Sequence, residues 1–366
     1  TLQAYGIALK EAKKYDLSFE RFEASLKIDP DEKQKAMTLQ AYGIALKEAK
    51  KVKEAEQAFK RSLAIDNDNL ITLQEYAILM RQMERDKEAE DIFKKIPGDK
   101  LDIQAKTEYA RTMISLAFQQ KDKTRPYFNK AKNLLITITP KDAVLYTEWA
   151  RLEGFTGNHD QKIKILFEGI EKYPDSLFLL QELGNSYKKL VGREKEPTKR
   201  KELFEKAQKY YIQIIDGGQA DHIVHSNYAK LLKQYAIGFG HSQRELKDRY
   251  YDDAEAQFKK ALEMEENSRN HTELGNLLRF REDKQEDAEK HLKKAIQLDE
   301  TNYNAHLEYA CFLLWQGKAP ESLHHYQEAL ALGKKRNRSY IEKIYQKTRS
   351  KLRRESNTPQ RAIIEE

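Results

Sequence analysis

Nine histidines, one cysteine and 59 carboxylate side chains are the groups in this sequence that could do acid–base, nucleophilic or metal chemistry. Their spacing assembles none of these. His324 and His325 are neighbours, and on one helix adjacent side chains point about 100° apart, a poor geometry for holding one ion. His222 and His225 stand three apart at a helix start, a separation that a metal can use, but only Asp221 lies near them and no thiolate does. Cys311 is the sole cysteine, so no intramolecular disulfide or thiolate cluster can form, and a small apolar side chain packed on a helix is the expectation. The acidic pairs Glu265-Glu266 and Asp252-Asp253 suit solvated helix ends better than acid–base work. There is no His-Glu-x-x-His, no phosphate-binding loop, no glycine-rich dinucleotide turn and no serine elbow. The sequence therefore predicts no enzyme, no metal and no cofactor.

The elements that carry these residues are helices. The 366 residues hold only eight prolines and fifteen glycines, both of which are penalised inside helices. Apolar residues are 39% and charged residues 34%, with the apolar ones recurring at i, i+3, i+4 and i+7. No stretch is apolar for eighteen residues, so no membrane partner is expected, and no signal peptide is visible, which makes cytoplasmic the expectation. The chain opens on Thr1 inside a helical pattern, which suggests a piece of a longer polypeptide whose N-terminal domain would be a candidate partner.

Self-similarity organises the whole. Residues 1–14, TLQAYGIALKEAKK, return unchanged at 38–51. A looser form runs on: a large residue beside a small one, a small residue twelve on, an aromatic four later and a small or apolar residue three after that. Tyr5-Gly6, Ser18, Phe22 and Ser25 carry it first; Tyr42-Gly43, Ala55, Phe59 and Ser62 second; Tyr76-Ala77, Ala89 and Phe93 third. Each unit reads as two amphipathic helices joined by a tight turn, the small residues letting helices approach and the aromatics filling the gap. Asp29-Pro30-Asp31 and Asp66-Asn67-Asp68-Asn69 are turn chemistry between units. Nine units cover residues 1–333, with insertions near 191–200 and 239–251 and a lengthened turn at 121–126. Residues 334–354 read as a basic C-terminal capping helix and 355–366 as a flexible tail. The net charge of +7 is uneven: 334–354 carry +9, 355–366 carry −2, and the array itself sums to zero.

This pattern resembles the tetratricopeptide repeat family, whose Trp-x2-Leu-Gly-x2-Tyr, Ala-x3-Phe and Pro spacing is matched by Leu183-Gly184 with Tyr187 and by Ala254 with Phe258 and Ala261. The resemblance implies an all-α fold of helix-turn-helix repeats stacked into a right-handed superhelical solenoid, with the first helix of each unit lining a concave face. On that reading the inner positions are Ile7 and Lys10, Ile44 and Lys47, Ile78 and Arg81, Arg111 and Ile114, and Arg151 and Gly154. They continue with Asn185 and Lys188, Lys230 and Lys233, Asn276 and Arg279, and Cys311 and Leu314 beside Trp315. The implied function is a protein–protein interaction scaffold whose groove binds a protein or peptide segment with acidic side chains. Asn185 and Asn276 are two units apart, which argues against a clamp for a free C-terminus. Two alternatives accompany this reading. A basic inner stripe with twenty tyrosines in the chain could hold RNA or single-stranded nucleic acid. The array could also be the sensor of a larger signalling ATPase or effector protein.

Overall fold

The computed structural model describes residues 1–28, 31–120, 126–333 and 335–356, with the backbone alone for residues 241, 335, 336, 351 and 353–356. The expected turn residues Asp29 and Pro30, the turn at 121–125, Lys334 and the tail from 357 onward lie outside the described residues. Every regular element among the described residues is helical, and the helices fall into two compact units, Thr1–Pro174 and Asp175–Glu366.

The first unit holds five antiparallel hairpins. They are α1 (Leu2–Glu11) with α2 (Tyr15–Ile28), α3 (Glu32–Glu48) with α4 (Val52–Ile65), and α5 (Leu70–Gln82) with α6 (Asp86–Phe93). Then come α7 (Ile103–Gln119) with α8 (Pro126–Thr137), and α9 (Ala143–Phe155) with α10 (His159–Lys172). The second unit pairs α11 (Leu177–Val191) with α12 (Pro197–Asp216), α13 (His222–Ala236) with α14 (Arg244–Met264), α15 (Ser268–Leu278) with α16 (Gln285–Leu298), and α17 (Tyr303–Trp315) with α18 (Ala319–Leu332). It closes with α19 (Lys335–Ser356).

The repeated spacing becomes packing in a direct way. In the first, second and sixth hairpins an aromatic of the second helix (Phe22, Phe59 and Tyr211) sits against the small residue of the first. A β-carbon added at Gly43 would come within 2.6 Å of the Phe59 ring, and one at Gly6 within 2.9 Å of Phe22, so the duplicated stretch needs glycine there. The same aromatic then meets the large residue of the next hairpin: Phe59 lies 6.2 Å from Tyr76, Phe93 4.7 Å from Tyr109 and Tyr211 5.8 Å from Tyr228, centroid to centroid. Phe22, Phe59, Phe93, Tyr211 and Phe258 are fully buried. Serine at the twelfth position has its own reason: Ser18 Oγ donates to the Gly6 carbonyl at 2.7 Å, and Ser322 Oγ does the same to Ala310 at 2.7 Å. Asp or Asn caps the N-terminus of most first helices, with Asp31, Asn69, Asp102, Asp142, Asp221, Asn267 and Asn302 each accepting from a backbone N–H.

The two insertions lengthen second helices. α12 and α14 run to 20 and 21 residues. Their extra turns pack on each other and on α13: the Phe204 and Tyr235 rings stack at 3.9 Å, Tyr250 meets both edge-on, and the Arg200 guanidinium lies over Tyr235. Arg200 Nε also donates to the Val191 carbonyl at 3.3 Å, tying the inserted segment back to α11.

α19 packs against α17 and α18, where a further hairpin's first helix would lie. Its Ile341 and Tyr345 are buried with Cys311 and Leu314, and Tyr345 stacks on Tyr326 at 4.0 Å. Thr348 Oγ1 donates to the Cys311 sulfur at 3.5 Å, and burial pushes that thiol's pKa up, so Cys311 is a packed side chain covered by α19.

Candidate inner-face interaction surface

Within each unit the cations on the first helices reach forward to the first helix of the next hairpin. In the first unit Lys47 of α3 pairs with Glu75 of α5, Arg81 of α5 lies 3.0 Å from Glu108 of α7, and Arg111 of α7 lies 3.0 Å from Glu148 of α9. In the second unit Lys230 and Lys233 of α13 each lie 3.0 Å from Glu273 of α15, and Arg279 of α15 lies 3.0 Å from Glu308 of α17. Asn276 donates to the same Glu308.

The acceptor has a fixed place in the repeat: Glu75, Glu108, Glu148, Glu182, Glu273 and Glu308 each stand one residue before the large residue of the large–small pair. The first two hairpins have Ala4 and Ala41 there, and Lys10 accordingly reaches a different acid, Glu48, at 3.3 Å. Burial acts to raise the Glu273 carboxyl, but Lys233 and Lys230 outweigh it and bring the pKa down to about 2.

This ladder pairs most of the cations of the basic groove expected from sequence. Lys10, Lys47, Arg81, Arg111, Lys230, Lys233 and Arg279 are all engaged with carboxylates of the same chain, which cancels most of the stripe's charge. Arg151 stands exposed on α9, and Trp315 is half-buried at the end of α17. Cys311 and Leu314, the inner positions of the last hairpin, are under α19. Asn185 accepts from the Tyr211 hydroxyl at 2.8 Å and from Lys188 at 3.1 Å, which occupies it inside its own unit.

Lys188 is the rung that differs. The acid's place in α13 is taken by Asn227, whose side-chain oxygen accepts from Lys188 Nζ at 2.7 Å. With burial first and Lys230 second both disfavouring its charge, the Lys188 pKa falls to about 7. Asn227→Asp supplies the missing carboxylate without changing shape. It is expected to keep Lys188 protonated through the neutral range and to stabilise the second unit by about 1 kcal/mol at pH 7, as a partly exposed pair does. The lysine side-chain NMR titration and urea unfolding of the two forms check both effects.

One helical turn before the ladder position, which is an acid except at Ala4, Ala41 and Asn227, is a position that sequence reasoning passed over. It holds exposed Met37, Ile71 and Val144 in the first unit, with Ile103 exposed beside the polar Gln104 of α7, and exposed Phe178 and Ile223 in the second. Residues four apart share a helix face, so these apolar side chains flank the ladder. In α15 and α17 the position turns polar, to Arg269 and Asn304. There, a cavity of about 740 Å³ opens at the N-terminal ends of α13, α15 and α17. Ile223, Asn227, Lys230, Arg269, Asn270 and Asn302 are among its lining, and the buried Asn270 amide nitrogen has no hydrogen-bond partner.

The histidines divide among separate partners. His222 Nδ1 lies 2.9 Å from Glu265, while His225 Nδ1 lies 2.8 Å from Gln257, so the two do not converge on a shared ligand. Among the described residues no group of three or more His, Cys, Asp or Glu is placed to hold a metal ion, and no helix is long and apolar enough to cross a membrane.

The fold defines a class: helical-hairpin repeats that, within each unit, bring their first helices side by side. The sequence model of the tetratricopeptide repeat matches residues 46–112, from the end of α3 through α4, α5 and α6 into α7, and over those residues the chain carries tetratricopeptide repeats. No curated protein matches the sequence. Among solved structures, a tetratricopeptide repeat protein from Parabacteroides merdae is 14% identical, with a TM-score of 0.48, covering 86% of this chain and 99% of its own. A monomeric IFIT1 mutant with Gppp-AAAA is 14% identical, with a TM-score of 0.49, over 90% of this chain and 80% of its own. The P58(IPK) TPR domain is 18% identical, with a TM-score of 0.28, over 97% and 98%.

Proposed function

We propose that the chain is a non-catalytic scaffold that holds a partner polypeptide segment along the inner face of its first helices. The row of exposed apolar side chains beside the charge ladder carries this reading. Met37, Ile71 and Val144, and Phe178 and Ile223 in the second unit, recur at one repeat position and stay open on a face where most cations are already engaged. An aliphatic or aromatic side chain left exposed at the same place in successive repeats costs solubility without serving the core, whereas a bound segment would bury it. Anchoring is then mainly apolar. Acidic side chains on the partner would find their opening in the second unit, where Lys188 and Arg269 have no carboxylate rung of their own.

Peptides selected from a random display library on the intact chain provide the test. They are expected to be rich in apolar residues and to lose at least about tenfold in affinity on Ile71→Asp or Phe178→Asp, roughly the loss of one buried anchor. They should bind normally after Lys60→Glu on an outer helix. Peptides indifferent to both inner-face substitutions would move the binding surface elsewhere.

A further inference from the structure

The net positive charge of this protein is concentrated in one place. Residues 334–354 hold ten Lys and Arg against a single acid, Glu342. α19 extends over 22 residues, or about 33 Å at the helical rise. Its apolar side chains are spent on the core: Ile341 and Tyr345 are buried, and Ile344 and Leu352 pack against the same cluster. What remains outward is Arg338, Ser339, Glu342, Lys343, Gln346, Lys347, Arg349 and Ser350, all exposed, a face on which four cations meet one acid. Unlike Lys10, Lys47, Arg81, Arg111, Lys230, Lys233 and Arg279, the cations Arg338, Lys343, Lys347 and Arg349 have no carboxylate partner among the described residues.

We propose that the outward face of α19 is a second binding surface, which takes the phosphate backbone of duplex nucleic acid. Charge sign points to a polyanion, and the rest of the face narrows the class. Hydroxyl and amide groups at Ser339, Gln346 and Ser350 stand between the cations, and such groups share phosphate oxygens with Lys and Arg in backbone contacts. The face offers no apolar side chain to enter a lipid layer and no aromatic anchor of the kind that concentrates binding energy in protein interfaces. The one exposed aromatic of the helix, Tyr340, lies toward Tyr303 and Glu308 of α17, which removes it from a base-stacking role on the outward side. Cations spread over one half of a rigid helix without stacking groups suit a duplex, whose phosphates are regularly spaced, better than a flexible single strand.

Fluorescence anisotropy with the full chain tests this, using a labelled RNA or DNA duplex of about 20 base pairs, a single strand of the same length, phosphatidylserine vesicles and polyglutamate. The duplex is expected to bind most tightly, with affinity falling steeply as salt rises. Arg338→Gln, Lys343→Gln, Lys347→Gln and Arg349→Gln combined should cost about 100-fold and flatten the log–log salt slope by about 3 to 4. A control removes the same charge from outer helices of the array, at exposed Lys60, Lys94, Lys259 and Lys293, and should leave duplex binding within about twofold. Circular dichroism confirms that both variants remain helical. Equal loss in the control, a flat salt dependence, or vesicles or polyglutamate binding as tightly as the duplex would each overturn the proposal.

Discussion

Glu273→Gln is expected to destabilise the second unit by about 2–3 kcal/mol, the cost of leaving buried charge uncompensated when one partner of an ion pair is removed. The side chain keeps its shape, so packing is not at issue. What is lost is the anion between two ammonium groups, Lys230 and Lys233, each 3.0 Å away and only 18% and 14% exposed. For a unit of this size, the loss appears as a fall in melting temperature of roughly 6 °C. Glu205→Gln, which removes a solvated partner 3.8 Å from Lys201, should change stability by less than about 0.5 kcal/mol. Replacing Lys230, Lys233 and Glu273 together by methionine should recover much of the loss, because buried ion pairs give little net stability over apolar groups of similar volume. A Glu273→Gln protein that melts like the parent would remove the ladder from the account of this fold.

The pH dependence of that difference follows from the carboxyl's direction. Its folded pKa of about 2 lies below its ordinary value of 4.5, so the stabilisation is complete above 4.5 and fades as pH falls toward 2. The same logic revises the experiment that a basic groove would suggest. Changing Lys188, Lys230, Lys233 and Arg279 together to serine would strip Glu273 and Glu308 of their main partners. Weakened partner binding in that variant would then report partial unfolding as much as lost contacts.

The hairpins were legible because their spacing encodes contact directly. Tyr42-Gly43 and Phe59 lie sixteen or so residues apart in the chain for one reason: a helix, a turn and a return bring the ring onto the glycine. The ladder was equally present in the letters, as an acid before Tyr76, Tyr109, Trp149, Leu183, Leu274 and Tyr309. Inner positions taken forward from the small residue miss it, because the partner acid sits on the next helix and one residue behind the large one. A charge at a helix surface position looks solvated until the neighbouring helix is placed. The separation of the units at Pro174 had no such signal, since Gly157 and Pro174 are the turn residues that any hairpin of this kind would carry.

Acid is expected to loosen the last two hairpins, α15 with α16 and α17 with α18, before it reaches the carboxylate ladder. Three successive first helices place histidine three residues before the large residue, at His225, His271 and His306, where the second and third hairpins have buried Leu39 and Leu73. His271 and His291 bring their Nδ1 atoms to 2.8 Å, and His306 and His325 to 3.1 Å, a contact that can share one proton but not two. Burial lowers both His291 and His325 to about 4, with the facing His271 and His306 the next cause in each case. The surroundings supply little relief. The first pair faces Glu266 at 3.3 Å, with Asp287 nearby, but also Lys259, Lys290 and Lys294. The second faces the Glu300 carbonyl, the Tyr309 ring, His324 and Glu328. A histidine whose folded pKa lies below its unfolded value of 6.5 stabilises fully above 6.5, and the contribution disappears as pH falls through about 4. Two such rings, discounted for partial exposure, amount to about 3 kcal/mol lost across that window. Urea unfolding at neutral pH and near pH 4.5 should show the loss in the parent. It should be largely absent after His271→Leu, His291→Ile, His306→Leu and His325→Ile, which copy the Leu73 and Ile92 of the third hairpin. Equal acid sensitivity in both proteins would assign the effect to carboxylates, whose window near Glu273 lies lower, and would leave the paired rings as ordinary packing.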